Sequence, residues 1–219
     1  MKCHGVRQQR LPVVVAALFF VGTAPSVFAG PITIFSTFGP GNTTGTIQNL
    51  GIGGSLQNEF ADSFTPSSTY TLNSITVSAE FISGTTDQLT VFLASGATQP
   101  GAPIESFSLT GLPSTFPGTV GTMTSVLNPT LFAGTTYWVV LAASDPANTY
   151  DGWAEGLVSY PGEMFLGTDT SFPNWTIGGI APPGGAFSIA ATPTPEPATG
   201  ALCLGALGLL GLVVRRRHA

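Results

Sequence analysis

Hydrophobic and polar residues alternate along several stretches of the chain, a pattern typical of β-strands with one buried face. The clearest stretch is 71–83, whose apolar side consists of Ile75, Val77, Ala79 and Phe81. Its other side is polar, and we expect Glu80 there to be solvated. After a turn at Gly84, the alternating residues Leu89, Val91 and Leu93 predict a second strand that pairs with the first as a hairpin.

Shorter stretches continue the same pattern between turns rich in Gly, Pro and Asn. The predicted strands are 32–35, 60–64, 107–109, 123–127, 136–142, 152–155, 164–167 and 186–190, with a loop over 41–54. In 136–142, Tyr137, Val139 and Leu141 face one side, and Trp138 and Val140 face the other. Many short strands without a helical period predict an all-β fold. We expect one jelly-roll-like β-sandwich domain over residues 30–191.

The N-terminal segment 1–29 has the three parts of a secretory signal peptide. Lys2, Arg7 and Arg10 precede the apolar run 11–21, and small residues precede a cleavage site after Ala29. This predicts export through the Sec translocon and removal of the segment by a signal peptidase.

The C-terminus has three successive parts as well. Residues 192–197 form a proline-rich linker, 198–214 are uncharged and mostly apolar, and 215–219 form a basic tail. The apolar part is just long enough for a transmembrane helix. Because basic residues stay on the cytoplasmic side, the domain is expected on the outside.

These C-terminal residues resemble a PEP-CTERM sorting signal. The matching positions are Pro195, Glu196, Pro197, Arg215, Arg216 and Arg217. The resemblance implies an exosortase as partner, a membrane-embedded cysteine transpeptidase of Gram-negative bacteria that cuts near the motif. It also implies transient anchoring in the inner membrane, then a place at the cell surface or in an extracellular, biofilm-type matrix.

The interior resembles a second family, the choice-of-anchor domains of bacterial surface proteins, most closely type R. The matching segments are IFSTFGP (34–40), FADSFTP (60–66), YTL (70–72) and LFAGTTYW (131–138). The resemblance implies export and a shared domain fold, and it implies no biochemical activity.

Charge is distributed very unevenly along the chain. Between Gly30 and Pro195 there is no Lys, Arg, His or Cys, whereas every acidic residue except Glu196 lies in this interval. Catalytic triads, Cys-His pairs, His or Cys zinc sites and arginine clamps therefore lack their residues. Nucleic acid is excluded as a partner, because binding it requires cationic contacts to phosphate. We expect no enzymatic activity: paired carboxylates could hydrolyse glycosides, but no spacing singles out a pair among Glu80, Glu105, Glu155 and Glu163.

Two kinds of binding remain open for the domain. Calcium prefers oxygen ligands, and the run 145–155 supplies Asp145, Asp151 and Glu155, although it does not match an EF-hand loop. Carbohydrate binding uses aromatic platforms, for which Trp153 and Trp175 are candidates, although large aromatics also form the core of such a domain.

The sequence therefore predicts an exported bacterial surface or matrix protein that an exosortase sorts, with a structural or adhesive role linked to exopolysaccharide. The alternative is a carbohydrate-binding module, with or without calcium. No other cofactor is expected.

Overall fold

The computed structural model describes residues 30–51, 59–115, 118–145, 147–158, 164–167, 175–177 and 184–194. Among these residues, thirteen β-strands are connected by turns and by one 3-10 turn, Pro40–Asn42. The strands are β1 (Ile32–Ser36), β2 (Ile47–Gly51), β3 (Glu59–Phe64), β4 (Tyr70–Gly84), β5 (Gln88–Ser95), β6 (Pro103–Thr110), β7 (Thr119–Thr124), β8 (Thr130–Leu131), β9 (Tyr137–Ala143), β10 (Thr149–Ala154), β11 (Met164–Gly167), β12 (Trp175–Ile177) and β13 (Phe187–Pro193). The predicted all-β class is confirmed.

The strands form two sheets in which neighbouring strands are antiparallel. Sheet 1 has the order β1-β13-β4-β10-β2, and β7 and β8 also pair with the long strand β4. Sheet 2 has the order β12-β11-β3-β9-β5-β6. The last strand, β13, therefore lies inside sheet 1, between β1 and β4.

One hydrophobic core is shared by the two sheets. Sheet 1 contributes Leu50, Leu72, Ile75, Val77, Ala79, Trp153, Phe187 and Ile189, and sheet 2 contributes Phe60, Phe64, Leu89, Val91, Leu93, Tyr137, Val139 and Leu141. The rings of Phe64 and Phe187 meet across the core, with their centroids 6.3 Å apart. Because apolar faces of both sheets enter one cluster, the predicted inward faces of β4, β5 and β9 are confirmed. This packing supports the predicted two-layer sandwich.

Strand β9 is buried on both of its faces. Its second face belongs to a smaller cluster with Ala61 and Trp175, to which it contributes Trp138 and Val140. The indole N–H of Trp138 donates a hydrogen bond to the carbonyl of Gly96 at 2.7 Å. This explains why the sequence of β9 is apolar at successive positions rather than at alternate ones.

The predicted hairpin between β4 and β5 is wrong. Strand β4 belongs to sheet 1, whereas β5 pairs with β6 and β9 in sheet 2. Residues 85–87 thus carry the chain from one sheet to the other. A hairpin would have placed the apolar sides of both strands in one sheet, whereas the crossing sets them on opposite sides of the core.

Several strands differ from the sequence-based prediction. Strand β2 lies within the predicted loop 41–54; it pairs with β10 and contributes one fully buried side chain, Leu50. Strands β8 and β12 were not predicted at all. Strand β7 ends at Thr124 instead of Leu127, and strand β13 continues to Pro193, into the predicted linker.

The two chain ends lie outside the described residues. This applies to the predicted signal peptide 1–29, to the apolar segment 198–214 and to the basic tail 215–219. Within the described part, the structure has no helix whose length and hydropathy would suit a membrane crossing.

A group of buried hydrogen bonds joins the two sheets where the chain enters β13. Asp62, on β3 of sheet 2, accepts a hydrogen bond from the backbone N–H of Gly185. Trp153, on β10 of sheet 1, donates from its indole N–H to the carbonyl of Ala186 at 3.1 Å. Asp62 and Trp153 are fully buried. We call this group, together with Thr37, the polar junction.

Thr37 completes the polar junction from the residue after β1. Its hydroxyl donates to the carbonyl of Gly185 at 2.8 Å and accepts the backbone N–H of Phe187 at 2.8 Å. Because Thr37 is fully buried, water cannot replace these bonds.

Replacing Thr37 with Val should destabilise the domain by about 1–3 kcal/mol, because the substitution keeps the shape but leaves buried backbone groups without a partner. Urea unfolding followed by tryptophan fluorescence measures the change in free energy. The matched control is Thr33→Val on the exposed side of β1, which should change stability by less than about 0.5 kcal/mol. Equal losses in the two variants would show that the polar junction contributes no stability.

Candidate functional site

Five carboxylates are buried among the described residues, although the interval from Gly30 to Pro195 offers no cationic side chain. They are Glu59, Asp62, Glu80, Glu105 and Asp151, each 9% exposed or less. Burying an ionised carboxylate is costly unless it is paired or hydrogen-bonded. The hydrogen-bond donors around each carboxylate therefore show whether that side chain supports the fold or is available for binding.

Glu105 supports the turn between β7 and β8. Its carboxylate accepts hydrogen bonds from the hydroxyl of Ser125 at 2.6 Å and from the N–H groups of Val126 and Leu127 at 2.7 and 3.0 Å. Burial by itself raises the pKa of Glu105, but the bonds from Ser125, Leu127 and Val126 outweigh it and the pKa is lowered. This hydrogen-bonded turn ends β7 earlier in the chain than the sequence pattern predicted.

Glu80 is buried, contrary to the expectation of a solvated side chain. It is 9% exposed, and burial raises the pKa of its carboxyl group. The reason is the crowding of neighbouring strands around β4. Gly118 and Gly152 come so close that an added Cβ on either would lie 3.2 Å from the Glu80 side chain. Alternation along β4 correctly placed Glu80 on the outer face, but it did not reveal how closely neighbouring backbone covers that face.

Asp151 is fully buried and has no hydrogen-bond partner on either carboxylate oxygen. It lies on β10, opposite Leu50 of β2 and Phe81 of β4, and on the same strand face as the core residue Trp153. Burial, followed by the negative charge of Asp87, raises the pKa of Asp151 to about 7. Asp87 lies in the connection between β4 and β5, where the sequence pattern singled out no acid.

The predicted calcium ligands Asp145, Asp151 and Glu155 take up different positions. The Asp145 carboxylate accepts bonds from the amide of Asn148 and the hydroxyl of Thr85, all at 3.1 Å. Glu155 follows the far end of β10. Its carboxylate accepts a hydrogen bond from the hydroxyl of Thr46, and its backbone forms an isolated β-bridge with Gly185.

The structure therefore does not bring the three predicted ligands together. Across the described part of the chain, no group of three or more His, Cys, Asp or Glu side chains is placed to hold a metal ion. Contiguity in sequence suggested one site, but an extended strand separates its two ends.

The candidate carbohydrate platforms Trp153 and Trp175 are buried. Trp153 is fully buried, with its ring 6.2 Å from that of Phe187, and Trp175 is 9% exposed in the smaller cluster. A sugar platform needs an open ring face, so the structure assigns both side chains to packing. Of the candidate glycosidase acids, Glu105 is engaged by its turn, and Glu163 lies outside the described residues.

The C-terminal strand is tied to the start of β4 at the point where the chain leaves the domain. Pro193 pairs with Tyr70, and the hydroxyl of Thr192 donates to the side chain of Asn73 at 2.7 Å. The N–H of Thr194 donates to the carbonyl of Thr69 at 3.1 Å. The Pro-Glu-Pro residues 195–197 follow immediately and lie outside the described residues.

The comparison with protein families finds the PEP-CTERM protein-sorting motif at residues 193–217. This match contains the predicted positions 195–197 and 215–217. The motif identifies an exported protein that is sorted by an exosortase through a membrane-anchored C-terminal step. The comparison with curated proteins finds no match to this chain.

The hydrogen bonds that Glu105 accepts predict that the stability of the domain depends on pH. Because the folded pKa is lowered, Glu105 stabilises the domain above its unfolded pKa of about 4.3, and this contribution is lost as pH falls through the folded pKa. Glu105→Gln should cost about 1.5–3 kcal/mol at pH 7, because charge-assisted bonds to buried N–H groups are lost.

Urea unfolding at several pH values measures this loss. The difference between the parent protein and Glu105→Gln should shrink as pH falls below about 4. The control Glu155→Gln removes the same charge from a half-buried site and should cost less. A Glu105→Gln loss that stays constant down to pH 3 would contradict the assigned role.

Proposed function

We propose that this chain is a structural or adhesive component of a bacterial cell surface or extracellular matrix, and that its domain is associated with exopolysaccharide. The observation that carries the proposal is the sorting motif, which directly follows the last strand of the domain. The domain itself we interpret as a choice-of-anchor domain, type R-like, with a jelly-roll-like β-sandwich. The proposed location is the envelope of a Gram-negative bacterium.

The position of β13 supports a sorting step that leaves the domain intact. This strand lies between β1 and β4, and it pairs with β4 from Phe187 to Pro193. The fold therefore depends on residues up to Pro193, and a cut at or after Pro195 removes nothing from the sheet. Release by an exosortase would thus yield a complete domain.

The chemistry of the surface supports a structural role rather than catalysis. Exposed strand positions carry hydroxyl side chains, such as Thr76 and Thr122, whose oxygens lie 2.9 Å apart on neighbouring strands. Hydroxyl groups bond to neutral polysaccharide, whereas a domain without cations between Gly30 and Pro195 has no charge attraction for acidic polymers. We therefore propose neutral polysaccharide as the associated matrix material.

Replacing Pro195, Glu196 and Pro197 with alanines should block processing, so that the uncut chain accumulates in the membrane fraction. The experiment expresses the full-length chain in a host that contains an exosortase, and immunoblotting compares membrane and released fractions. The matched control replaces Pro182 and Pro183, which precede β13 and lie outside the motif. Normal release of the triple-alanine chain would refute exosortase sorting.

The matrix role has its own measurement. The released protein should cosediment with exopolysaccharide purified from the producing strain, and deletion of the gene should weaken matrix cohesion. Normal sorting combined with neither effect would refute the matrix role while leaving the sorting step in place.

A further inference from the structure

The chain leaves the domain at the end of sheet 1 where β4 begins. On one side of β4, the N–H of Thr194 donates to the carbonyl of Thr69 at 3.1 Å. On the other side, β8 pairs with Tyr70 and Thr71, and the N–H of Ala133 donates to the hydroxyl of Thr69 at 3.4 Å. The point where the chain leaves is therefore flanked by β8 and the residues that follow it.

Exposed apolar side chains surround this exit point. In the described part of the chain seven large hydrophobic residues are exposed, and four of them lie around the start of β4. Phe132 directly follows β8, and the N–H of Ser125, which opens the turn after β7, donates to the carbonyl of Asn73 at 2.8 Å. On the far side of β13, Ile32 pairs with Ala191. We call these four residues the exit rim: Ile32, Val126, Leu127 and Phe132, from 46% exposed at Ile32 to 83% at Val126.

Hydrogen bonds hold most of the exit rim in a defined position. Val126 and Leu127 donate their N–H groups to the buried carboxylate of Glu105 at 2.7 and 3.0 Å. Phe132 donates its N–H to the hydroxyl of the buried Tyr137 at 2.9 Å. Because this backbone is already ordered, covering the apolar side chains requires no further ordering of the turns that carry them.

The sorting motif brings the exit rim close to a membrane. The motif implies that the chain is anchored through its C-terminal segment until an exosortase acts. The uncharged apolar residues of that segment begin at Ala198, four residues after Thr194. Even a fully extended chain of four residues spans at most about 14 Å. While the chain is anchored, the exit point therefore stays next to the bilayer surface.

Charge is distributed so that this end of the domain can approach anionic lipid. Asp87 and Asp145 lie at the opposite end of the 15-residue strand β4, roughly 40 Å from the exit point. That distance is several times the screening length of about 10 Å. Glu155, the remaining described acid that is not buried, follows β10 beside the middle of β4. Glu105 lies near the exit rim, but it is buried and its carboxylate is surrounded by donors.

We propose that the exit rim inserts into the lipid headgroup region of the membrane that anchors the chain, so that the domain stands on this end until it is sorted. Interfacial segments bury their apolar side chains about 5–10 Å into the boundary between headgroups and acyl chains. Four exposed hydrophobic side chains around a short membrane tether fit that environment, because burial there removes their apolar surface from water. The proposal does not depend on the matrix role.

Fluorescence of single-cysteine variants in vesicles tests the proposal. The full-length chain, with Cys3 and Cys203 replaced by serine, is produced without an exosortase and reconstituted into vesicles of phosphatidylethanolamine and phosphatidylglycerol. An environment-sensitive dye is attached at Leu127→Cys or at Phe132→Cys. We expect blue-shifted emission, and quenching that is stronger with a lipid nitroxide near the headgroups than with one at the acyl-chain ends. At the opposite end, a dye on the exposed Ala147→Cys should emit as in water and should not be quenched.

A second set of variants tests the apolar side chains themselves. Replacing Val126, Leu127 and Phe132 with serine should reduce lipid quenching of a dye at the exposed Ser68→Cys, near the exit point. The matched control Val120→Ser removes an exposed apolar side chain outside the exit rim and should leave that quenching unchanged.

Three results would overturn the proposal. The first is emission at Leu127→Cys and Phe132→Cys that stays that of the dye in water. The second is a blue shift without lipid quenching, which would mean that protein, such as a second copy of the chain, covers the exit rim. The third is equal quenching at Ala147→Cys. Circular dichroism checks the fold of each variant, and the single-cysteine measurements remain decisive even if the triple-serine chain fails to fold.

Discussion

The structure depends on how buried carboxylates are accommodated in a domain that has no cation of its own. Burying a carboxylate costs several kcal/mol unless donors surround it, and between Gly30 and Pro195 the donors can come only from backbone N–H groups, hydroxyls, amides or indole N–H groups. Asp62 accepts a hydrogen bond from the N–H of Gly185. Glu105 accepts hydrogen bonds from the hydroxyl of Ser125 and from backbone N–H groups of the turn that follows it. Each of these carboxylates therefore determines the path of a neighbouring backbone segment. Asp62 directs the chain into β13, and Glu105 ends β7.

The polar junction also connects the fold to sorting. It positions the entry into β13, which is the last strand of the domain and an inner strand of sheet 1. A central strand that comes last cannot be added at an edge, so sheet 1 is complete only when residues up to Pro193 are available. The sorting motif begins at the same place, at residue 193. The last strand of the domain and the sorting motif are therefore contiguous along the chain.

Much of the fold follows from local pattern. Alternation in β4, β5 and β9 correctly assigned inward residues such as Val77, Val91 and Val139, because a side chain on a strand has only two directions to choose from. Pairing was less predictable. The turn at Gly84 suggested a hairpin, but no local signal distinguishes a turn within one sheet from a crossing between two sheets. Strand β2 was missed because its partner β10 is distant in sequence and supplies the pairing that its own residues do not indicate.

The sequence alone determined that this protein is exported for sorting by an exosortase and which ionisable side chains are missing between Gly30 and Pro195. Signal segments are recognised by charge and hydropathy along a contiguous stretch, and the sorting motif was recognised in that way. Only the tertiary structure decided what the carboxylates and tryptophans do. Trp153 lies in the core rather than on a sugar-binding surface, and Asp151 is buried on β10 opposite Leu50 and Phe81. The physical reason is that burial and charge compensation depend on residues that the fold brings together from distant parts of the chain, and no contiguous pattern records those contacts.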